Sequence, residues 1–203
     1  VANTIGSSNT FIGGDAGVSN TVASYNVFVG KNAGRGNING ESNIFIGAEA
    51  GYSNVTGYGN TCIGDVSGYN TNGFTNTFVG AFTGYSNTNG SCNICIGNSS
   101  GYTQGTVSGN VFIGYHAGFS NTSSPNTFVG YLAGRNNTIG RNNTYLGYLA
   151  GRKNTVGVKN TFIGDTSGFS NIKGNNNTFA GYLSGYSNTY GSRNTCVGES
   201  SGY

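Results

Sequence analysis

Few residues of this chain have the chemistry needed for catalysis or metal binding. His116 is the only histidine among the 203 residues, and no Ser-His-Asp or Cys-His set with specific spacing can be built around it. Cys92 and Cys95 form one C-x-x-C pair, whereas a zinc site of this kind needs a second pair. Three aspartates recur at similar local contexts but lie far apart along the chain: Asp15, Asp65 and Asp165. The sequence therefore predicts no catalytic, cofactor-binding or metal-binding residues, and no enzyme.

The composition points away from an ordinary globular domain. Charged residues make up 7% of the chain, against about 25% in average domains, so solubility must come from Asn, Ser, Thr and Gly. Such surfaces suit extracellular or cell-surface fibres. The net charge of +3 is scattered along the sequence, which predicts no nucleic-acid partner. No run of 18 apolar residues occurs, so membrane insertion is not expected.

The elements that would position any site come from an internal repeat. Its consensus is N-T-F-I-G-x-x-A-G-Y-S-N-T-x-G-x-x, numbered here as positions one to seventeen. The spacing between units is 17 residues, and twice it is 16. The repeat fills the chain, which we treat as a single domain, residues 1–203. Its units open at Asn9, Asn26, Asn43, Asn60, Asn76, Asn93, Asn110, Asn126, Asn143, Asn160, Asn177 and Asn194.

This repeat predicts an all-β fold, a parallel β-solenoid (β-roll or β-helix) of about twelve 16–17-residue coils. Positions five and nine are glycine in every unit, which indicates corners with positive φ. The segment between corners is short and rich in β-branched and aromatic residues, as in strands. A coil of this length has room for two short strands and two turns. A helix is excluded because a glycine recurs every four to eight residues.

Strand alternation decides which side chains face the core. Position four is aliphatic and position eight is small, so we expect both to point inward, together with position two. Position three would then point outward and, being apolar, would form an assembly interface. The proposed interface is Phe11, Phe28, Phe45, Phe78, Phe112, Phe128, Tyr145, Phe162 and Phe179. The alternative is reversed parity, in which this column is the core.

Three further columns have expected roles. Asn at position one would hydrogen-bond up and down the stack. Position ten, mostly aromatic or arginine, would form an exposed ladder that either packs laterally or binds glycan faces. Cysteines replace Phe at position three in three units, where they act as small apolar substitutes or, alternatively, as cross-chain disulfides: Cys62, Cys95 and Cys196.

The units N-T-F-I-G-x-x-A-G, as at 9–17 and 160–168, resemble the repeats of trimeric autotransporter adhesin heads. They are also similar to N-T-x-I-G repeats of phage tail fibres and bacterial surface proteins. The resemblance covers the whole chain. It implies a parallel β-roll, left-handed in those heads, and an extracellular setting.

Three functions are compatible with this sequence. The first is a structural subunit of an extracellular filament, assembling with copies of itself laterally or head to tail. The termini motivate the head-to-tail mode, because residues 1–8 match the second half of a coil and the chain ends at positions nine and ten, Gly202 and Tyr203. The second is an adhesin or tail-fibre shaft that binds a glycan or a host surface. The third is an ice-binding solenoid, which requires reversed parity so that the threonines of position two face outward.

Overall fold

A computed structural model describes residues 4–203, and one short parallel strand opens each coil. The twelve strands form a single parallel sheet whose spatial order follows the sequence. None of the described residues is helical, and none therefore forms a helix that could span a membrane. The predicted β-solenoid is confirmed. Its strands are β1 (Thr10–Ile12), β2 (Val27–Val29), β3 (Ile44–Ile46), β4 (Thr61–Ile63), β5 (Thr77–Val79), β6 (Ile94–Ile96), β7 (Val111–Ile113), β8 (Asn126–Val129), β9 (Asn143–Leu146), β10 (Thr161–Ile163), β11 (Thr178–Ala180) and β12 (Thr195–Val197).

The strand register places equivalent residues of successive coils side by side. Equivalent positions of successive repeats are Cα partners, as with Tyr145 and Phe162 in β9 and β10. The pairing holds where a coil is one residue short, since Cys62 of β4 is still the partner of Phe78 in β5. The missing residue is therefore absorbed outside the strand, and each column of the repeat remains continuous.

Each coil contains one strand, so the prediction of two was wrong. The second arm, at positions twelve to fifteen, consists of turns and bends. Its backbone N–H groups converge on shared acceptors: those of Ile38 and Asn39 both donate to the carbonyl of Val55, at 3.1 and 3.0 Å. A parallel ladder needs evenly spaced bonds to successive carbonyls, and convergent donors do not provide them.

Hydrogen bonding between coils continues around the corners. The N–H of Asn32 donates to the Gly14 carbonyl at 2.8 Å, and that of Ser42 donates to Ser24 at 3.1 Å. To point these donors along the stack, the residues at positions seven and seventeen take a left-handed conformation, as Leu132 does with φ 55 and Ser42 with φ 58. A left-handed conformation is uncommon for residues other than glycine, and most strained for β-branched ones. Even Thr166 adopts it, with φ 54.

The fifth-position glycines are required for two reasons. Gly114 has φ +132, and a Cβ built on it would collide with the carbonyl oxygen of Gly130 in the next coil. The predicted positive-φ corners at positions five and nine are confirmed in every coil.

We therefore expect Gly114→Val to lower the free energy of unfolding by several kcal/mol, because it adds both backbone strain and a backbone clash. The matched control is Gly14→Val, where φ is not positive and an added Cβ meets nothing within 4 Å. Denaturant unfolding of both variants measures the difference. Equal midpoints would contradict the proposed corner requirement.

Candidate functional surfaces

The aromatic column, defined as the third residue of each coil, is the core of the solenoid. Its rings stack face to face with centroids 4.7–5.0 Å apart. The prediction that it forms an outward assembly interface is therefore wrong, and the reversed parity is correct. Phe11, in the first coil, is half-buried. The remaining residues of the predicted interface are at most 1% exposed: Phe28, Phe45, Phe78, Phe112, Phe128, Tyr145, Phe162 and Phe179.

Small residues make room for these rings. Ala133, at position eight, is buried as predicted. Gly134 follows it, and a Cβ there would lie 2.5 Å from the ring of Phe128. The strict Gly at position nine therefore has a packing role as well as a conformational one. An invariant small-Gly pair opposite an aromatic column is the sequence signal that could have identified the core.

Burial also decides the role of the cysteines in this column. All four cysteines are free, and Cys62 and Cys95 are buried, where desolvation raises the pKa of both thiols. Neither can reach another chain, so the apolar-substitute role is favoured for these two. The C-x-x-C pair does not form a joint site, since Cys92 is exposed while Cys95 lies inside.

Two columns of buried asparagines flank the aromatic core. The first is the predicted one at position one, where the side-chain oxygen of Asn143 accepts the backbone N–H of Asn160 at 2.9 Å. The amide of Asn143 donates to the carbonyl of Gly157 at 2.8 Å. Each side chain thus connects its own coil to the next, and the predicted ladder is confirmed.

The second asparagine column, at position twelve, was not predicted as buried. The amide of Asn171 donates to the side-chain oxygen of Asn154 at 2.8 Å and to the carbonyl of Gly174 at 3.1 Å. The column is interrupted where Thr71 and Gln104 replace asparagine. The longer Gln104 turns its amide to the sulfur of Cys95, at 2.6 Å, and the side-chain oxygen of Asn87 is left buried without a partner.

The outward surface of the sheet, here called the β-face, consists of the second and fourth residues of each coil. We predicted these positions to be internal, and they are not: Ile44 and Ile46 are 39% and 37% exposed, and Ile163 is 42% exposed. No charged residue occupies either position in any coil. The successive rings of the core are nearly parallel, within 15°, so neighbouring coils repeat with little relative rotation.

Position ten forms the predicted ladder outside the core. Tyr52, Tyr69, Tyr85 and Tyr102 are partly exposed and stack at 4.9–5.3 Å. Each internal ring of this run has both faces covered by neighbours. Sugar rings and nucleobases bind the faces of aromatic rings, so this geometry favours lateral packing over glycan stacking.

Catalytic groups do not converge anywhere in the described coils. His116 stacks on Tyr115 and Phe119, and desolvation, with the nearby Arg135, lowers its pKa. No group of three or more potential metal ligands occurs in the described residues. A cavity of about 280 Å³ lies at the 194–203 end, with Cys196 and Tyr203 as its only titratable lining residues.

Comparison with known proteins gives no match: no family model fits the sequence, and no curated protein or solved structure is significantly similar to it.

Two substitutions in strand β10 test whether the aromatic column is the core. Phe162→Ala should cost about 3–5 kcal/mol of stability, because it removes a buried ring and leaves a cavity between its neighbours. Ile163→Ala should cost much less, since that side chain on the β-face is already partly hydrated. Thermal and denaturant unfolding of both variants test this. If the two costs were equal, the aromatic column would not be the main core.

Proposed function

We propose that this protein is a non-enzymatic structural subunit of an extracellular or cell-surface fibre. The observation that carries the proposal is the repetition of its columns: asparagine occupies position one in all twelve coils, and the aromatic column and the second asparagine column recur in most of them. Such an arrangement gives a rod of about 58 Å for twelve coils at the usual strand spacing. The 7% charge content and the Asn-, Ser-, Thr- and Gly-rich composition support an extracellular setting.

The head-to-tail continuation into residues 1–3 remains a prediction, because those residues lie outside the described part of the chain.

Electron microscopy of the protein purified from its native source tests this function. We expect fibres whose diffraction has an axial spacing of about 4.8 Å, the distance between parallel strands. Labelling of intact cells with an antibody should place these fibres outside the cell. Dispersed particles together with intracellular labelling would contradict the proposal.

Ice binding is a second candidate, because the side chains of position three point inward and the threonines of position two therefore point outward. Thr144 and Thr178 are exposed on the β-face, and threonine occupies this position in eight of the twelve coils. The neighbouring fourth-position column is aliphatic, which makes the face less regular in hydroxyl groups.

Thermal hysteresis of the purified protein decides this candidate. If the β-face binds ice, the wild-type protein should depress the freezing point without changing the melting point, and Thr144→Glu should reduce that gap. The control Thr138→Glu makes the same change at an exposed residue of the second arm. The absence of hysteresis in the wild-type protein would exclude ice binding.

A further inference from the structure

The β-face of an isolated chain is an extended surface without charge. Twelve strands of three or four residues at about 4.8 Å spacing present about 600 Å² of uncharged surface, in which the fourth position is aliphatic and the second is threonine in eight coils. With the side chains at its two edges, this area approaches the roughly 800 Å² per partner of a standard interface. The face therefore has enough area to bind a second protein surface.

The two edges of the β-face carry opposite charges on the same strands. We call the last two residues of the preceding coil, positions sixteen and seventeen, the leading flank of a strand, and position six after it its trailing flank. Strand β10 has Lys159 on the leading flank and Asp165 on the trailing flank, and β12 has Arg193 and Glu199 in the same arrangement. All four side chains are exposed.

These charges cannot neutralise each other within one chain. From leading to trailing flank, the backbone runs about 20 Å at 3.3 Å per residue, far beyond ion-pair distance. Within the described residues, the ion pair found joins Arg35 and Asp15 at 4.0 Å and involves none of these four residues. The flank charges are therefore available to a partner.

From this arrangement we infer that two copies pair through their β-faces, with the rods parallel and in register. When two faces meet and both rods run the same way, their strands run in opposite directions. The leading flank of one copy then lies opposite the trailing flank of the other. Lys159 faces Asp165, and Arg193 faces Glu199, each twice by symmetry.

Other flank residues agree with this orientation. On β9, Arg141 of the leading flank would face Tyr148 of the trailing flank, whose ring is 50% exposed and can receive a cation. Near the other end the charges do not discriminate, because Glu41, which leads β3, lies one coil away from both Lys31, which trails β2, and Asp65, which trails β4.

Antiparallel pairing is disfavoured by the same charges. It would place leading flank against leading flank, where three of the four charged residues are cations: Arg141, Lys159 and Arg193, with Glu41 as the single anion. A centred antiparallel pair would match only Lys159 with Glu41. The parallel arrangement also aligns identical coils along the whole length, so that both faces repeat with the same spacing.

A native cysteine provides the test of orientation. Cys92 is exposed on the leading flank of β6, and Asn98, also exposed, is its trailing-flank counterpart. In a parallel pair, Asn98→Cys places a thiol opposite Cys92 of the other copy. Facing sheets are about 10 Å apart, beyond the reach of a disulfide, so a bis-maleimide reagent of about that span is used, in a Cys196→Ser background.

The expected result is a covalent dimer only when both thiols are present. The controls carry Cys92 alone, or Asn98→Cys together with Cys92→Ser. In a parallel pair, neither control should crosslink, because each thiol faces a flank without one. Crosslinking of either control would show that like flanks meet, which would overturn the parallel arrangement.

Charge reversal tests the same pairing without crosslinking. In sedimentation velocity, Lys159→Glu should weaken dimerisation by about two- to thirtyfold, because two exposed ion pairs become repulsive. The double variant Lys159→Glu with Asp165→Lys should restore it. The matched control Lys153→Glu makes the same charge change on an exposed residue of another surface and should leave dimerisation unchanged. Circular dichroism verifies folding.

This inference rests on the proposed structural role, but the two can fail separately. Native fibres, together with no crosslink between Cys92 and the thiol introduced by Asn98→Cys, would overturn the parallel pair and leave the structural function standing. A crosslinked pair in a protein that forms no extracellular fibres would support the pairing and contradict the function. A wild-type protein that stays monomeric at high concentration, with or without thermal hysteresis, would overturn the pairing.

Discussion

The structure depends on the need to satisfy buried asparagine side chains in a core only one ring wide. An unpaired buried polar group costs about 1–3 kcal/mol, and seven of the twelve coils bury two asparagines. Each amide can be satisfied only by the neighbouring coil and its turn, as for Asn143 with Asn160 and Gly157. This requirement sets the register, which in turn brings the rings into face-to-face contact. The glycine corners then follow, because a side chain there would separate the coils.

The sequence was sufficient to predict the architecture but not the direction of the side chains. The spacing of Asn and Gly specified the coils, and the strands β1 to β12 follow the predicted openings. The inside of the coil was assigned wrongly because aliphatic residues at position four resemble a core column as well as Phe does. Alternation alone permits both parities. The small residue and the glycine at positions eight and nine favour the correct parity, but only the structure shows that they lie against the rings, as Ala133 and Gly134 do against Phe128.

The left-handed conformation of residues other than glycine could not be predicted from the sequence either. Leu132, Thr166 and Lys159 have positive φ, although none of these residue types favours it. Their conformation is imposed by hydrogen bonds to the preceding coil, such as that from Lys159 N–H to the Arg141 carbonyl at 3.0 Å. A repeated environment can therefore override local preference in coil after coil. The exposed surface differs from the predicted one because side chains alternate along a strand. Since the rings of position three point inward, the aliphatic residues of position four point outward.

The alignment of the hydrogen bonds has a mechanical consequence. Backbone and asparagine bonds between coils run along the rod, so a pulling force would load every layer in series. In such an arrangement the weakest layer yields first, while the others remain intact. The weaker layers lie between the second and sixth coils, where the side-chain oxygens of Asn37, Asn54 and Asn87 are buried without a partner. Under tension the rod would open in this part, and the later coils would remain folded as a block.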